Sequence, residues 1–157
     1  MEIRKARLKD LPRVVKLAMD LLKYHHELDP YFDPAAPAAG LYEKHMKKAV
    51  YSRKMRLLVA EEEGRIIGYA LGTIISRSPV FCLSRVAAIN DVYVEKKFRE
   101  RGIAALLVED LYRWFRARKL YTVELSVFAG NKLALKVWEK LGFGDVMIRK
   151  RKNLKSS

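Results

Sequence analysis

A short basic turn stands where an apolar strand pattern gives way to a long helical one. Residues 99–104 read Arg-Glu-Arg-Gly-Ile-Ala; residues 87–94 are strand-like, and an amphipathic pattern runs from Gly102 to Lys119. The turn therefore lies at a helix N-terminus, whose unpaired N–H groups and partial positive charge favour an anion, above all a phosphate. Gly102 lets the backbone approach a ligand without a Cβ in the way. An ordinary loop-to-helix junction explains the same six residues, so context must decide.

A second segment, residues 131–143, supplies that context. It reads Asn131-Lys-Leu-Ala-Leu-Lys-Val-Trp138-Glu-Lys-Leu-Gly-Phe143 and begins 29 residues after Gly102. With both segments the chain resembles the GNAT superfamily of acyl-CoA-dependent N-acyltransferases, whose signature is Arg/Gln-x-x-Gly-x-Gly/Ala followed by Asn-x-x-Ala-x-x-x-Tyr-Glu-Lys-x-Gly-Phe. The two parts match in order, with one departure, Trp138 in place of the usual Tyr. The first helix pattern and the turn at residues 63–68 also look like this family.

The resemblance implies an α/β (α+β) protein with the GNAT fold, a mixed central sheet with splayed strands 4 and 5 and helices on both faces. The periodicity predicts strands at 3–7, 56–60, 65–75, 86–94, 122–127 and 143–149, and helices after an Asp10 N-cap, at 41–51, at 102–119 and from Asn131. We expect a single N-acetyltransferase domain over residues 1–152 and a basic tail over residues 153–157.

Composition narrows the class of protein. The 157 residues, 50% of them hydrophobic, suffice for one domain with a core, and no apolar run is long enough to span a membrane. The single cysteine, Cys82, excludes an intrachain disulfide, and the first residues lack a signal peptide's apolar stretch, so we expect a cytoplasmic protein. Abundant Lys, Arg and Glu without any Gln indicate a thermophilic source.

The net charge of +14 fits a nucleic acid, an acidic partner or a phosphate-rich cofactor. The basic residues are scattered and form no recognition-helix pattern, so we do not expect specific nucleic-acid binding. His25, His26 and Glu27 complete no ligand triad, so we expect no metal.

The resemblance also implies the cofactor, acetyl-CoA. Backbone groups of strand 4 would line its pantetheine arm and polarise the thioester, and the basic turn would cradle its pyrophosphate. The family pattern places the strand contacts at Val92, Tyr93 and Val94, and the turn contacts at Arg99, Glu100, Arg101, Gly102, Ile103, Ala104 and Ala105. The last helix would add Asn131 and Trp138.

The family's proton-transfer residues are absent at three positions. The Tyr that protonates the leaving thiolate falls at Trp138, the strand-5 Glu of the ribosomal-protein-acetylating branch at Ser126, and the strand-4 Glu of polyamine acetyltransferases at Asn90. Asp91 is our catalytic candidate, with a structural role as the alternative. A site without a dedicated base suits an α-amine, which costs about 1.4 kcal/mol to deprotonate at pH 7, against about 4.6 kcal/mol for a lysine-like amine.

The acceptor groove is expected beside the end of the first helix, where this fold places one of its walls. Glu27, Asp29, Tyr31 and Phe32 combine carboxylates with aromatic rings, which attract an ammonium; a solvated loop with aspartates at proline turns explains them equally well. We predict an N-acetyltransferase acting from acetyl-CoA on a primary amine, a peptide or protein α-amine ahead of a small amine or polyamine. The alternatives are a CoA-binding member without catalysis and a basic nucleic-acid-associated protein. A homodimer is left open.

Overall fold

The structure, a computed structural model, describes residues 1–155. They form two compact units, one over Met1–Ser126 and one that begins at Val127. The first unit contains β1 (Glu2–Lys5), α1 (Leu11–Leu28), α2 (Ala38–Tyr51), β2 (Met55–Glu62), β3 (Arg65–Ser76), β4 (Arg85–Val94), α3 (Ile103–Arg116) and β5 (Val123–Leu125), and the second contains α4 (Lys132–Lys140). A single domain over 1–152 stays a prediction, and the last two residues of the expected tail lie outside the described residues.

The first unit is built on a five-stranded mixed sheet in the order β1-β2-β3-β4-β5. The first four strands pair antiparallel, and β4 and β5 pair parallel. The β2–β3 hairpin turns at Glu63 and Gly64, both in the left-handed region, with φ of 51° and 76°. The predicted mixed sheet is confirmed.

Helices cover both faces of this sheet. On one face, inward side chains of β2 and β3 such as Leu57 and Leu71 form a core with α1 and α2. On the other face lies α3, and the fit is tight at Gly72, where an added Cβ would come within 2.9 Å of both Leu111 and Phe115. The alternation of side chains along β2 and β3 explains why both faces are apolar.

Strands β4 and β5 pair over a short stretch. The parallel register joins Ala87 to Val123 and ends where Ile89 meets Leu125. Residues 90–94 of β4 therefore extend beyond the pairing with β5, and no strand of the described residues pairs with them on that side, which we name the uncovered edge. The early end of the pairing agrees with the expected splay between strands 4 and 5.

Three local predictions differ from the structure. Within the described chain no strand forms over residues 143–149, and Val146, Met147 and Ile148 are at least 80% exposed, so the segment has neither a ladder partner nor a buried face. Helix α2 begins at Ala38, directly after Pro37, because a proline fixes φ without needing an intrahelical donor. Asp10 precedes α1, but its carboxylate accepts from Arg7 N at 2.7 Å instead of capping the helix.

Candidate functional site

A β-bulge at Asn90 sets the direction of the side chains in the second half of β4. Leu71 pairs with Asp91 while the next residue of β3, Gly72, pairs with Ile89, so Asn90 is the extra residue. A bulge shifts the alternation of side chains by one. Since paired residues share a face, Asp91 lies on the α1 and α2 side with Leu71, and Ile89 lies on the α3 side with Gly72.

The peptide groups of β4 beyond the bulge divide between two edges. Glu95 N donates to Ile67 O on β3 at 2.9 Å. Because the direction of the backbone N–H and carbonyl groups alternates along a strand, those of Tyr93 and Asp91 point toward β3, and those of Val92 and Val94 point toward the opposite edge. The pairing with β5 has ended before this point. The Val92 N–H and carbonyl therefore face the uncovered edge, where an extended ligand arm can lie.

The turn between β4 and α3 has the backbone that its glycine predicts. Gly102 occupies the N-cap position of α3 with φ of 73°, and nothing lies within 4 Å of the position of an added Cβ. Glu100 is also left-handed, with φ of 63°, a strained conformation for a residue with a side chain. The first helical bond runs from Leu106 N to Gly102 O, so the N–H groups of residues 103–105 point out of the helix end.

Both arginines of the turn are held by neighbours. Arg99 Nε donates to Val94 O at 2.9 Å, and its guanidinium lies 5.3 Å from the centre of the Tyr93 ring. Arg101 donates to both oxygens of Glu62 at 2.6 and 3.0 Å, and this hydrogen-bonded pair lowers the pKa of Glu62. Glu62 comes from the end of β2, and sequence reasoning missed it because no local pattern joins residues 39 apart.

Asp91, the predicted catalytic residue, lies among tyrosines. The buried Tyr69 hydroxyl donates to Asp91 Oδ2 at 3.4 Å. Burial raises the pKa of Asp91 above its ordinary value, while the Tyr69 hydrogen bond and the charge of His45 oppose that rise. Burial and the Asp91 carboxylate also raise the pKa of Tyr42 and of Tyr69. The result is a half-buried carboxylate with increased proton affinity beside the uncovered edge.

The predicted acceptor residues form the end of α1 and the loop after it. Asp29 accepts from Tyr31 N at 3.0 Å and so caps the short 3₁₀ turn Pro30–Phe32, which is the turn-forming role weighed above. The rings of Tyr31 and Phe32 meet edge to face at 5.2 Å, and Glu27 is exposed on α1. Binding of an acceptor by these residues stays a prediction.

The second unit contains the other motif. Asn131 Oδ1 accepts from Ala134 N at 3.0 Å, so the expectation that Asn131 opens and caps this helix is confirmed. Trp138 packs edge to face on Phe143 at 5.4 Å, and Gly142 follows the helix with φ of 87°. Contact of Asn131 or Trp138 with a cofactor stays a prediction.

Residues 1–155 provide neither a metal-binding cluster nor a membrane-spanning helix. They contain no group of three or more His, Cys, Asp or Glu side chains placed to hold a metal ion. No helix among them is both long and apolar enough to cross a membrane.

The family model described as "Acetyltransferase (GNAT) family" matches residues 20–143. The chain belongs to this family. This match confirms the GNAT family, the fold class and the acyltransferase activity class that the two motifs predicted.

Relatives of this GNAT chain agree with the assignment. A [ribosomal protein bS18]-alanine N-acetyltransferase of Salmonella typhimurium is 31% identical over 78 residues, which are 47% of this chain and 53% of that protein. The matched part thus spans about half the length of this curated relative.

Solved structures show the same fold. A tetramutant of the BH1408 protein from Bacillus halodurans has a TM-score of 0.88 at 22% identity, over 98% of this chain and 100% of that one. A predicted acetyltransferase from Clostridium acetobutylicum, solved with acetyl-CoA, has a TM-score of 0.77 at 23% identity, over 99% of this chain and 97% of that one.

Proposed function

We propose that this GNAT protein transfers an acetyl group from acetyl-CoA to a primary amine, with a peptide or protein α-amine as the favoured acceptor. The observation that carries the proposal is the uncovered edge of β4 leading into the Gly102 turn. A strand edge offers N–H and carbonyl groups to an amide-bearing arm, and a helix N-terminus offers N–H groups to phosphates. The Clostridium acetobutylicum structure with acetyl-CoA supports this choice of donor.

Acetyl-CoA would supply the acetyl group as a thioester. The residues proposed to hold it are the backbone of Val92, Tyr93 and Val94 and the turn from Arg99 to Ala105. The basic turn and its outward N–H groups suit a diphosphate, and Gly102 leaves space for it. Asn131 and Trp138 are retained as proposed contacts because of the family motif.

Three groups of this chain would serve the transfer. The Val92 N–H faces the uncovered edge and is placed to stabilise negative charge on a carbonyl oxygen laid there. Asp91, whose pKa burial raises, would accept the proton that the amine must lose. An indole N–H such as that of Trp138 can donate a hydrogen bond but does not release its proton, so no acid role is assigned to it.

The acceptor class rests on two supports. The Salmonella typhimurium relative acts on an alanine of a ribosomal protein, as its name states. An aliphatic α-amine also costs about 3 kcal/mol less to deprotonate at neutral pH than a lysine side chain. We propose Glu27, Asp29, Tyr31 and Phe32 as a wall of the acceptor groove, and from composition a cytoplasmic setting and a thermophilic source.

The test is release of free CoA thiol from acetyl-CoA, followed by mass spectrometry of the acceptor. The panel pairs peptides with free N-termini against the same peptides blocked at the N-terminus but carrying lysine, and adds a polyamine. We expect acetylation of the free N-termini and at least tenfold less of the blocked peptides. Bound acetyl-CoA without thiol release from any amine would instead favour the non-catalytic alternative. Salt-dependent retention on DNA or RNA tests the remaining one.

A further inference from the structure

The sheet has a basic end, opposite the end of β4 that leads to the Gly102 turn. Three segments form this basic end: residues 52–56 where β2 begins, residues 76–85 from the end of β3 to the start of β4, and residues 117–122 between α3 and β5. None of the three contains an aspartate or a glutamate, and together they contain seven arginines and lysines. We name these seven the basic rim: Arg53, Lys54, Arg56, Arg77, Arg85, Arg118 and Lys119.

Direct contacts bring the three segments of the basic end together. Residues 82–85 and 119–122 line one cavity of about 210 Å³. The guanidinium groups of Arg56 and Arg118 lie 5.9 and 5.0 Å from the centre of the same Trp114 ring. Across residues 1–155, no member of the basic rim forms an ion pair, so the seven charges add without an internal counter-charge. The basic end therefore attracts an anionic surface.

An exposed apolar run lies within this basic end. The β3–β4 connection runs beyond the last pair of the two strands and exposes four consecutive apolar residues, which we name the apolar tip: Val80, Phe81, Cys82 and Leu83. The exposed fraction is 82% for Val80, 49% for Phe81 and 45% for Leu83. Arg77 holds the tip in shape, because its guanidinium lies 4.3 Å from the centre of the Phe81 ring and donates to Leu83 O at 3.4 Å. Such a run is unfavourable in water and marks a surface that a partner covers.

Positive charge and exposed aliphatic side chains together select the class of partner. A second copy of this chain would bring two basic rims together, and these would repel each other. A single-stranded nucleic acid would balance the charge and stack on Phe81, but it offers Val80 and Leu83 no apolar layer to enter. An anionic lipid bilayer provides both, since its headgroups attract the cations and its acyl region accepts the tip. Tyr121, which is 79% exposed and lines the same cavity, is a residue type enriched at this interface.

We propose that the basic end binds the surface of an anionic membrane, with the apolar tip inserted among the headgroups and the basic rim against their phosphates. Such binding needs no membrane-spanning helix. Val92 lies seven residues along β4 from Arg85, or roughly 23 Å at about 3.3 Å per residue, so the uncovered edge proposed for acetyl-CoA stays clear of the membrane. Membrane binding does not depend on acetyl transfer and so goes beyond the proposed function.

The test is sedimentation of the full chain with lipid vesicles, without acetyl-CoA. Vesicles of phosphatidylcholine alone are compared with mixed vesicles of phosphatidylcholine and phosphatidylglycerol. We expect binding to the anionic vesicles only, with an affinity that falls as salt is added. The double variant Val80→Ser, Phe81→Ser keeps the net charge and should weaken binding by about tenfold or more. Arg85→Gln keeps the apolar tip and should weaken binding about fivefold.

Cys82 reports insertion directly, because it is the single cysteine of the chain and lies exposed in the apolar tip. A polarity-sensitive fluorophore on its thiol should shift its emission to the blue with anionic vesicles. The same fluorophore on Ala39→Cys in a Cys82→Ser chain, at an exposed position of α2, should show no shift.

The matched control combines Leu41→Ser with Lys44→Gln, an exposed apolar residue and an exposed cation of α2 outside the basic end. It should bind anionic vesicles like the parent. No binding to these vesicles, or unchanged binding in the folded double variant of the tip, would overturn the proposal. Binding of an oligouridylate that falls tenfold in that variant, without vesicle binding, would assign the surface to a nucleic acid instead. Thiol release is measured separately, so failure of acetyl transfer leaves the vesicle result readable.

Discussion

The Tyr69 hydroxyl on β3 donates to Asp91 Oδ2 on β4 at 3.4 Å, and it does so diagonally, because Tyr69 pairs directly with Tyr93. The bond stabilises the carboxylate, whereas burial of Asp91 favours the carboxylic acid. A catalytic base works best when its pKa approaches the operating pH. The Tyr69 hydrogen bond thus limits the rise in the pKa of Asp91, which burial alone would make larger.

The pH profile of kcat/KM should report this balance. The value of kcat/KM should rise with pH as Asp91 loses its proton, and the midpoint of this rising limb should lie above the ordinary aspartate pKa. Removing the hydroxyl in Tyr69→Phe raises the pKa of Asp91 further, so the limb should move to higher pH. The other titratable groups whose charges act on Asp91 or Tyr69 are Tyr42, His45 and Tyr93. Tyr112→Phe on α3 is the control, and a limb that stays in place in Tyr69→Phe would contradict the role of the bond.

Asp91→Asn should raise stability while lowering activity. The folded pKa of Asp91 lies above its unfolded value of about 3.8, so the folded state binds the proton more tightly and stability falls as pH rises through that interval. The neutral amide removes this loss, so the free energy of unfolding at neutral pH should exceed that of the parent. Loss of a general base should lower kcat by roughly 10²–10⁴. Urea unfolding at acidic and neutral pH measures the first effect.

Asp10→Asn is a control for that experiment, because the pKa of Asp10 is shifted in the opposite direction from that of Asp91. Arg4 donates to both Asp10 oxygens at 2.7 and 2.9 Å, and the pair lowers the pKa of Asp10. The stabilisation from this pair is fully present at pH values above the unfolded-state pKa of Asp10, and it is lost as the pH falls through the folded-state pKa. Leaving Arg4 without this partner should destabilise the protein by about 3 kcal/mol at neutral pH. An Asp91→Asn protein that lost stability in the same way would show a structural role for Asp91.

Local chemistry made the basic turn predictable from sequence. A glycine between an apolar strand and an amphipathic helix needs only neighbouring residues to be recognised, and Gly102 has the left-handed backbone that such a turn requires. Asn131 followed the same logic, because a cap bonds three residues ahead. Both predictions depend on short spans of chain.

The features that the sequence did not predict depend on contacts between residues far apart in the chain. The bulge at Asn90 exists only in the register of β3 against β4, so the face occupied by Asp91 could not be read from alternation. The contacts of Tyr69 with Asp91 and of Glu62 with Arg101 join residues distant in sequence. The segment at 143–149 contains a short apolar run that can form a strand, but a strand also needs a partner for its ladder.

Gly102→Glu should abolish binding of acetyl-CoA. The substitution places a negative charge where phosphates are proposed to lie, on a backbone with φ of 73° that strains any side chain. Gly64→Glu is a matched control, since Gly64 has φ of 76° and equally open space in the β2–β3 turn. Calorimetry with acetyl-CoA should show parent-like affinity for the control alone. Unchanged affinity in a folded Gly102→Glu protein would remove the turn from the cofactor site.

Asn131→Ala should lower the free energy of unfolding and weaken the binding of acetyl-CoA. Loss of the cap on Ala134 N removes roughly 1 kcal/mol from the free energy of unfolding. Asn131→Asp keeps a capping oxygen, so it separates the cap from the cofactor contact: its stability should match the parent more closely. A parent-like KM for acetyl-CoA in both variants would show that the motif does not bring Asn131 to the cofactor.

Trp138→Phe should leave turnover within about tenfold of the parent, because a general acid contributes roughly 10²–10⁴ and an indole N–H does not act as one. Phenylalanine also keeps an aromatic partner for Phe143, which lies 5.4 Å away, so α4 should retain its local packing. Trp138→Tyr supplies the hydroxyl usual in the family and tests whether this site gains from an acid. Steady-state kcat with a saturating amine, measured beside circular dichroism of each variant, separates chemistry from folding. A thousandfold loss in folded Trp138→Phe would show that the indole itself takes part in the reaction.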